Sequence, residues 1–479
     1  MTCTIRSAAR LSAGPILVLG ITAAGHAAET PHAAESLGDQ LPLAAVLPFL
    51  AMLLSIALFP LVANHWWEHN RNKGIISAVL ATPLAVYLVV MFGNAGLHQL
   101  GHKFAEYVSF IALLAALYVI SGGIYVKGSL SGTPLVNTGL LAFGSLIASF
   151  VGTTGASVLL IRPLLRANAP RERKAHVVVF FIFIVSNCGG LLTPLGDPPL
   201  FLGFLEGVPF EWTLRLWKEW AFVNGALLVI FNLLDQRILN QEEKERPGSQ
   251  LEQVMQHEPL RVSGLHNLAL LAGVVAVIYA AGQGLGASDG RWPTGLQEGL
   301  LVLLGVASYC TTSQQIHADN RFSFGPINEV AILFAGIFVT MTPALLILNA
   351  RGGKLGVDQP WEYFWAAGAL SSFLDNAPTY LTFAATACGA QGIDTSQSGY
   401  MARFLELASD TQATHILAAI SCGAVFMGAN TYIGNGPNFM VKAIAEESGV
   451  RMPGFFGYMA YAACILIPVF IAATFAFFR

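Results

Sequence analysis

The sequence predicts an all-α polytopic membrane protein, and its composition and its repeated apolar segments lead to this fold class. Hydrophobic residues make up 54% of the 479 residues, charged residues make up 11%, and the mean hydropathy is +0.60. A soluble domain carries roughly 25% charged residues, so this chain has too few charges to cover a soluble surface. Apolar stretches recur along the chain, and short polar segments join them. The net charge of −3 offers no basic surface for nucleic acid, and we expect none as a partner.

The first residues have the pattern of a secretory signal peptide. Arg6 and Arg10 form a basic start, residues 11–24 form a short apolar core, and Gly25-His26-Ala27 has the small-residue pattern of a cleavage site. We therefore expect residues 1–27 to be a signal peptide, with the mature N-terminus outside a bacterial inner (plasma) membrane. The alternative is an uncleaved first helix.

Apolar segments after this region mark the candidate spans. They are 41–63, 75–92, 106–125, 175–208, 219–235, 265–284, 295–312, 326–349, 413–446 and 455–478. Two more apolar segments, 133–166 and 361–388, are predicted to be re-entrant hairpins, which enter and leave the membrane by one face. The hydrophilic stretch 236–264 is predicted to be a cytoplasmic linker between a first half, 41–235, and a second half, 265–479.

Basic residues predict the orientation of these segments. With 133–166 and 361–388 as hairpins, most Lys and Arg residues fall on the cytoplasmic side, including the cluster from Arg166 to Lys174. If both hairpins were full spans, this cluster would lie outside, against the positive-inside rule. The first hairpin then enters from the cytoplasm and the second from outside, so the two halves are predicted to be inverted repeats.

Matching motifs in the two halves support the repeat. Residues 149–154 align with 372–377, and residues 193–201 align with 431–439 through the skeleton T-x-x-G-[D/N]-x-P-x-F. Gly and Pro inside an apolar span break the helix, which lipid tolerates only where a buried or water-filled site satisfies the backbone. We therefore predict two discontinuous helices, within 175–208 and 413–446, as in secondary transporters. Structural kinks alone are the alternative.

Asp197 and Asp375 are the acids predicted to lie at membrane depth. A carboxylate at the centre of a membrane helix costs about 2.5–3.5 kcal/mol on insertion scales, so two of them indicate a cation or proton site. Such a group can bind Na⁺ when it is ionised or hold a proton when it is neutral, which is the minimal chemistry of cation/proton exchange. Neither acid is repeated, because Asn435 aligns with Asp197 and Gly152 aligns with Asp375. The alternative is that both acids cap helices.

Oxygen atoms beside the breaks are candidate ligands, because hard cations bind oxygen. The candidate binding residues besides the two acids are Ser149, Thr153, Thr154, Ser186, Asn187 and Thr193 in the first half, and Ser371, Ser372, Asn376, Thr379, Asn430, Thr431 and Asn435 in the second. We hypothesise that Na⁺ binds at Asp375, Asn376 and Asn430. The N-termini of broken helices favour an anionic group instead, so a carboxylate substrate could bind between the hairpin tips.

One short motif indicates a different class of protein. His65-Trp66-Trp67-Glu68-His69 matches H-x-x-E-H, the inverted zinc-protease motif. The segment directly follows the first span, where tryptophans and the nearby Arg71 and Lys73 fit a membrane interface. Because no third zinc ligand and no soluble domain accompany it, we expect no enzyme. We expect no cofactor either, with Na⁺ as the transported or coupling ion.

The motifs at the breaks resemble those of the ion transporter superfamily. Residues 373–379, 186–198 and 428–434 are similar to the L-D-N-x-P/T-T, S-N-x-G-G-x-L-T-P-x-G-D-P and G-x-N-x-x-x-I-G motifs of NhaD-type sodium/proton antiporters and arsenite-permease-like proteins. The tract 193–201 also resembles a branch labelled putative citrate transport. The resemblance implies a homodimer with scaffold and transport domains and an elevator-like alternating-access motion.

The chain departs from these relatives at the hairpin tips. NhaD-type proteins usually carry an Asp-Asn pair where Gly152-Thr153 stands here, and neither tip has the Ser-Asn-Thr of the dicarboxylate branch. The leading prediction is a secondary active transporter that exchanges Na⁺ for H⁺. The alternative is Na⁺- or H⁺-coupled transport of citrate or another small carboxylate. Expected partners are membrane lipid, a small cation and, under the alternative, a carboxylate.

Overall fold

The fold is all-α, as predicted, apart from one pair of short strands. The computed structural model describes residues 37–67, 69–245, 258–286, 292–320, 322–351, 356–395, 397, 399–407 and 412–479. The predicted signal peptide, 1–27, lies outside the described residues. Seven of the described helices are long and apolar enough to cross a membrane, and three shorter apolar helices accompany them. The chain is therefore a multi-pass membrane protein.

The helices follow in chain order. In the first half they are α1 (Leu37–Gln40), α2 (Leu47–Val62), α3 (Asn64–Trp67), α4 (Asn70–Gly122), α5 (Pro134–Val151), α6 (Thr153–Ala167), α7 (Ala175–Ile184), α8 (Pro198–Leu205) and α9 (Trp217–Glu245). In the second half they are α10 (His266–Gly282), α11 (Leu296–Thr311), α12 (Gln314–Asp319), α13 (Gly325–Arg351), α14 (Pro360–Ser371), α15 (Asn376–Ala390), α16 (Tyr400–Leu407), α17 (Gln412–Met427), α18 (Gly436–Glu447) and α19 (Phe455–Ala473). Short 3₁₀ helices are Leu43–Val46, Cys188–Leu191, Phe210–Leu216 and Gly428–Asn430, and Thr474–Phe478 is a π-helix.

Helix α4 folds back on itself, so it supplies two antiparallel segments. Gly93 has φ 54° and ψ −125°, a conformation that glycine adopts without steric cost. Near one end of α4, Lys73 pairs with Glu329 at 2.7 Å, and near the other end the Tyr118 hydroxyl donates to the Ser323 carbonyl at 2.9 Å. Both ends of α4 therefore lie beside the start of α13.

Two strands join the halves of the chain. β1 (Tyr125–Ser129) pairs antiparallel with β2 (Glu258–Ser263), with Tyr125 opposite Ser263. The predicted linker, 236–264, overlaps the end of helix α9 and includes strand β2. Helix α9 continues to Glu245 and β2 begins at Glu258, and residues 246–257 lie outside the described residues.

A buried ionic cluster explains why α9 is longer than its apolar segment. Arg171, in the loop between α6 and α7, has a fully buried side chain. Its Nη1 lies 2.5 Å from Asp235 Oδ1, and its Nε lies 3.3 Å from Glu242 Oε2, both on α9. His176 of α7 and Asn137 of α5 also contact Asp235, at 2.8 and 3.1 Å. Ion pairs thus hold the hydrophilic end of α9. The pattern of apolar residues alone does not predict that the helix continues this far.

The hairpins and broken helices form the centre of the fold. Helix α7 is apolar on all sides, and residues 176–184 are all buried, as expected for a core helix. Helices α5 and α6 form the first hairpin, and Asn137 Nδ2 and Asn168 Oδ1 join its two open ends at 2.9 Å. Helices α14 and α15 form the second hairpin. This arrangement brings both hairpin tips to the interrupted segments that follow α7 and α17.

Candidate functional site

Each hairpin tip is tied to the unwound segment of its own half by equivalent hydrogen bonds. The Thr193 hydroxyl donates to the Ser149 carbonyl and accepts a backbone amide two residues later at 3.2 Å. The Thr431 hydroxyl donates to the Ser372 carbonyl at 2.5 Å and also accepts a backbone amide two residues later at 3.2 Å. The aligned motifs of the two halves thus have the same local geometry.

A glycine allows each loop to approach the backbone of its own unwound segment. A Cβ atom on Gly196 would lie 2.1 Å from the Gly190 carbonyl oxygen, and one on Gly434 would lie 2.6 Å from the Gly428 carbonyl oxygen. Both distances are shorter than any real carbon–oxygen contact. The glycine of the T-x-x-G skeleton is therefore required by packing in both copies.

Asp197 lies at the meeting point of the two halves and is only 2% exposed. Its Oδ1 accepts from Thr153 Oγ1 at 2.9 Å and from Asn435 Nδ2 at 3.3 Å. Its Oδ2 accepts from Asn376 Nδ2. One carboxylate thus contacts both hairpin tips and the second broken helix, and this contact joins residues that are far apart in the sequence.

Four helix N-termini meet around this carboxylate. Thr153 and Asn376 are the first residues of α6 and α15, and Asp197 and Asn435 immediately precede α8 and α18. Each helix N-terminus carries a partial positive charge and favours an anion. The Asp197 side chain makes no capping hydrogen bond to α8, so helix capping does not explain its position.

A network of buried amides connects the two broken helices. Asn187 Nδ2 donates to Asn438 Oδ1 at 2.7 Å, and Asn435 Nδ2 lies 3.2 Å from both Asn187 Oδ1 and the Ser186 carbonyl oxygen. Asn438 also donates to two backbone carbonyls of the second unwound segment at 2.9 Å. Asn438 was not predicted as a site residue. It aligns with Leu200 of the first copy, so a polar side chain stands here where the first copy has an apolar one.

Side chains from α9 and α19 satisfy the carbonyls that the helix breaks release. Trp220 Nε1 donates to the Gly189 carbonyl and Asn224 Nδ2 donates to the Cys188 carbonyl, both at 3.1 Å. The Tyr458 hydroxyl donates at 2.8 Å to a carbonyl of the second unwound segment. Broken helices at membrane depth need such partners. These residues were not predicted, because each stands alone in an apolar span.

Asp375 occupies a different position from Asp197. Its carboxylate accepts from the Ala377 amide at 3.1 Å and caps α15, as the capping alternative proposed. The Thr379 hydroxyl donates to the Asp375 carbonyl at 2.9 Å, and Asn430 Nδ2 donates to Ser372 Oγ at 2.9 Å. The Asp375 carboxylate therefore holds its own helix at the second tip, whereas the Asp197 carboxylate joins the two halves.

Two amide oxygens near the second tip lack hydrogen-bond partners. The buried Oδ1 atoms of Asn376 and Asn430 accept no hydrogen bond from any described residue. Buried acceptors are normally satisfied, so an unpartnered pair needs an explanation such as an ion. Both residues belong to the hypothesised Na⁺ ligand set, and amide oxygens suit a hard cation.

The remaining predicted serines of both halves form hydrogen bonds within the protein. Ser149 Oγ donates to the Gly189 carbonyl at 2.6 Å, and Ser186 Oγ lies 2.8 Å from Ser157 Oγ. Ser371, in the second half, donates to the Ala424 carbonyl at 2.6 Å. These hydroxyls hold backbone and neighbouring side chains.

A cavity of about 70 Å³ opens beside the first hairpin tip. Thr153, Thr154 and Asp197 form part of its wall, and Tyr118 of α4 and Val330 of α13 face them. Most of the other lining residues are apolar. The cavity therefore places a small polar patch, including one carboxylate, against an apolar surface.

The zinc motif does not gather further metal ligands among the described residues. His69 Nδ1 lies 3.1 Å from the His65 carbonyl oxygen, and Glu68 lies outside the described residues. His102, Glu106 and Glu206 also lie close together among the described residues, but the Lys103 ammonium is bonded to both glutamates there, so we do not assign them as metal ligands.

Comparison with known proteins supports a membrane transporter. A family model described as "Putative citrate transport" matches residues 38–478. No curated protein matches the chain. The family description agrees with the carboxylate alternative better than with Na⁺/H⁺ exchange, which stays a prediction, and it does not single out the NhaD type.

Proposed function

Because the chain belongs to the putative citrate transport family, we propose that it is a secondary active transporter of a small carboxylate such as citrate, coupled to Na⁺ or H⁺. The observation that carries this proposal is the meeting of four helix N-termini around Asp197. Their partial positive charges favour a bound anion. The cavity beside Thr153 and Thr154 supplies space for part of a substrate.

The charge of Asp197 supplies a physical reason for coupling. An anionic substrate beside an ionised, buried carboxylate would be strongly repelled. A proton on Asp197 or a Na⁺ ion beside it removes that repulsion, so the substrate binds well only when a cation is present. Binding of the two ligands is therefore reciprocal, as linkage requires.

The unpartnered oxygens of Asn376 and Asn430 are the proposed Na⁺ ligands on the second half of the site. Asn376 is well placed for coupling, because its Nδ2 donates to Asp197 while its Oδ1 is free. A Na⁺ ion at Oδ1 would hold this side chain in its present orientation. This proposal replaces Asp375 by Asp197 as the acid nearest to the ion, since the Asp375 carboxylate caps α15.

Na⁺/H⁺ exchange is the second candidate function. One buried carboxylate can bind Na⁺ and H⁺ in turn, and Asp197 is such a buried carboxylate at the meeting point of the two halves. Exchange would need no substrate in the cavity, and so it is distinguishable by experiment.

We further propose the membrane arrangement expected from the sequence. Segments 133–166 and 361–388 are re-entrant hairpins from opposite faces, within halves 41–235 and 265–479. The protein is a homodimer in a bacterial inner membrane. The joined ends of the first hairpin at Asn137 and Asn168 support this arrangement.

Uptake of labelled citrate into proteoliposomes tests the proposal. We expect accumulation under an inward Na⁺ or proton gradient and none without a gradient. Asp197→Asn should abolish accumulation, whereas the matched change Asp319→Asn on α12, whose exposed carboxylate bonds Gln315, should leave it intact. Cation exchange in liposomes that contain no carboxylate, with no citrate uptake, would instead establish the second candidate.

A further inference from the structure

A second buried ionic cluster joins α4 to the end of α8. Lys103 Nζ lies 2.6 and 2.9 Å from the two carboxylate oxygens of Glu106 and 3.1 Å from Glu206 Oε1. His102 Nδ1 lies 2.6 Å from Glu106 Oε1. The side chains of Lys103, Glu106 and Glu206 are only 8%, 7% and 1% exposed. None of these residues belongs to the site described above.

The charges of this cluster do not balance. One lysine faces two carboxylates, which leaves one excess negative charge when His102 is neutral. An uncompensated charge in a buried position costs several kcal/mol, and a buried group usually avoids this cost by becoming neutral. One additional proton would balance the cluster.

The two carboxylates differ in the contacts that they make. Both oxygens of Glu106 contact Lys103, and one of them also contacts His102. Glu206 accepts one hydrogen bond from Lys103 and lies within 4.8 Å of the Glu106 carboxylate, and its buried Oε2 accepts no hydrogen bond from any described residue. Glu106 is thus the compensated acid, and Glu206 has a free oxygen on which a proton can reside.

We propose that Glu206 is a proton-binding site, and that the binding and release of this proton weaken and restore the ionic contact between α8 and α4. The proton adds to Oε2, the carboxylate becomes neutral, and the charge attraction of Lys103 for Glu206 is lost. Lys103 then stays paired with Glu106. The consequence for transport rests on the proposed function, but proton binding itself does not.

Among the described residues, the charged groups that act most strongly on Glu206 lie on α4. From α4 it faces His102, Lys103 and Glu106. From α15 and α16 the titratable groups near it are Cys388 and Tyr400, whose thiol and phenol are neutral at physiological pH. His102, with 22% of its side chain exposed, is the most exposed member of the cluster, and we expect a proton to enter past it.

Helix α8 connects this proton site to the centre of the molecule. Asp197 immediately precedes α8, and Glu206 immediately follows it. Eight helical residues span about 12 Å, so the two acids lie at opposite ends of one short rigid element. A change in the contact of Glu206 with α4 therefore acts on the same helix whose N-terminus holds Asp197.

Infrared difference spectroscopy tests proton binding without any substrate. The whole protein in lipid vesicles is titrated from alkaline to acid pH, and the absorption of protonated carboxyl groups is recorded. We expect Glu206→Gln to remove one titrating carboxyl signal. Lys103→Met, which removes the positive charge, should keep that signal and move its midpoint to higher pH. Glu298→Gln, a part-buried glutamate on α11 that bonds Ser109, is the matched control and should leave this signal unchanged.

Glu206→Gln should remove the carboxyl signal, whereas Lys103→Met should keep it and shift its midpoint. The proposal can therefore be tested even if one of these two variants does not fold. An unchanged signal in Glu206→Gln overturns it. Absence of a titrating carboxyl signal in the wild-type protein also overturns it, and would place the proton on His102. Failure of citrate uptake by the wild-type protein counts against the proposed function only, because the infrared titration needs no substrate.

Discussion

Replacement of Asp197 by Asn or by Ala should affect folding very differently, although both changes stop transport. In the native site the carboxylate accepts hydrogen bonds from Thr153, Asn376 and Asn435. Asp197→Ala leaves the Thr153 hydroxyl and the Asn376 amide without a partner, at about 1–3 kcal/mol each, whereas Asn435 keeps its contacts with Asn187 and Ser186. Because the variant also removes a buried acid and its desolvation cost, we expect a value in the lower half of the resulting range, a net loss of about 3 kcal/mol.

Asp197→Asn can keep all three hydrogen bonds. The new side-chain oxygen accepts from Thr153 and Asn435 as before, and the new amide nitrogen faces Asn376. Asn376 can turn its side-chain amide by half a rotation, because its Oδ1 has no partner in the native structure. The remaining cost is the loss of charge assistance, which makes a hydrogen bond roughly twice as strong. We expect a destabilisation of at most about 2 kcal/mol.

The free energy of unfolding, measured by denaturant titration in mixed micelles, distinguishes the variants. The expected order of stability is wild type, then Asp197→Asn, then Asp197→Ala. Uptake of labelled citrate should be lost in both variants, since neither side chain carries charge or a titratable proton. Equal destabilisation by Asn and Ala would refute the rearrangement of Asn376, and normal uptake by Asp197→Asn would refute the role of the carboxylate.

Three further changes test the contacts that hold the site. Thr431→Val leaves the Ser372 carbonyl and nearby amides without a partner and should lower the free energy of unfolding by about 3 kcal/mol, whereas Thr431→Ser should restore it. Arg171→Met leaves Asp235 in a buried position without its arginine, so a loss of about 3–5 kcal/mol is expected in the same titration. An unchanged midpoint would show that this pair is not needed for stability. Tyr458→Phe removes one donor to a released carbonyl and should lower the thermal midpoint by the equivalent of about 1–3 kcal/mol, with the helix content by circular dichroism unchanged.

The fold class was predictable because it depends on composition and on the length of apolar runs. The helix breaks after α7 and α17 were also predictable, since Gly and Pro interrupt an apolar span for a local reason. Asp197 was recognised as an acid within one of these breaks. Its partners Asn376 and Asn435 could be named as candidates, but a contact between residues so far apart in sequence follows from packing of the two halves.

The directions in which the side chains point could not be predicted from the sequence. Asp197 and Asp375 have similar local contexts, each just before a helix that contains proline near its start. The Asp197 carboxylate accepts hydrogen bonds from other elements, whereas the Asp375 carboxylate caps its own helix, because the two acids have different neighbours in the folded chain. Glu206 was not among the residues predicted from the sequence. Its ion pair with Lys103 depends on α8 lying against α4, for which the sequence contains no local signal.

The unequal side chains of the two copies have a consequence for the two states of the proposed transport cycle. In a transporter built from two equivalent inverted copies, the inward- and outward-facing states interconvert by exchanging the conformations of the copies, and the copies alone would make the two states equal in energy. Here Asp197 stands against Asn435, and the Gly152-Thr153 tip stands against Asp375-Asn376. These differences remove that equality, and every 1.4 kcal/mol of imbalance changes the ratio of the two populations about tenfold. Under the proposed transport function, the apparent affinity for a substrate should therefore differ between the two faces of the membrane.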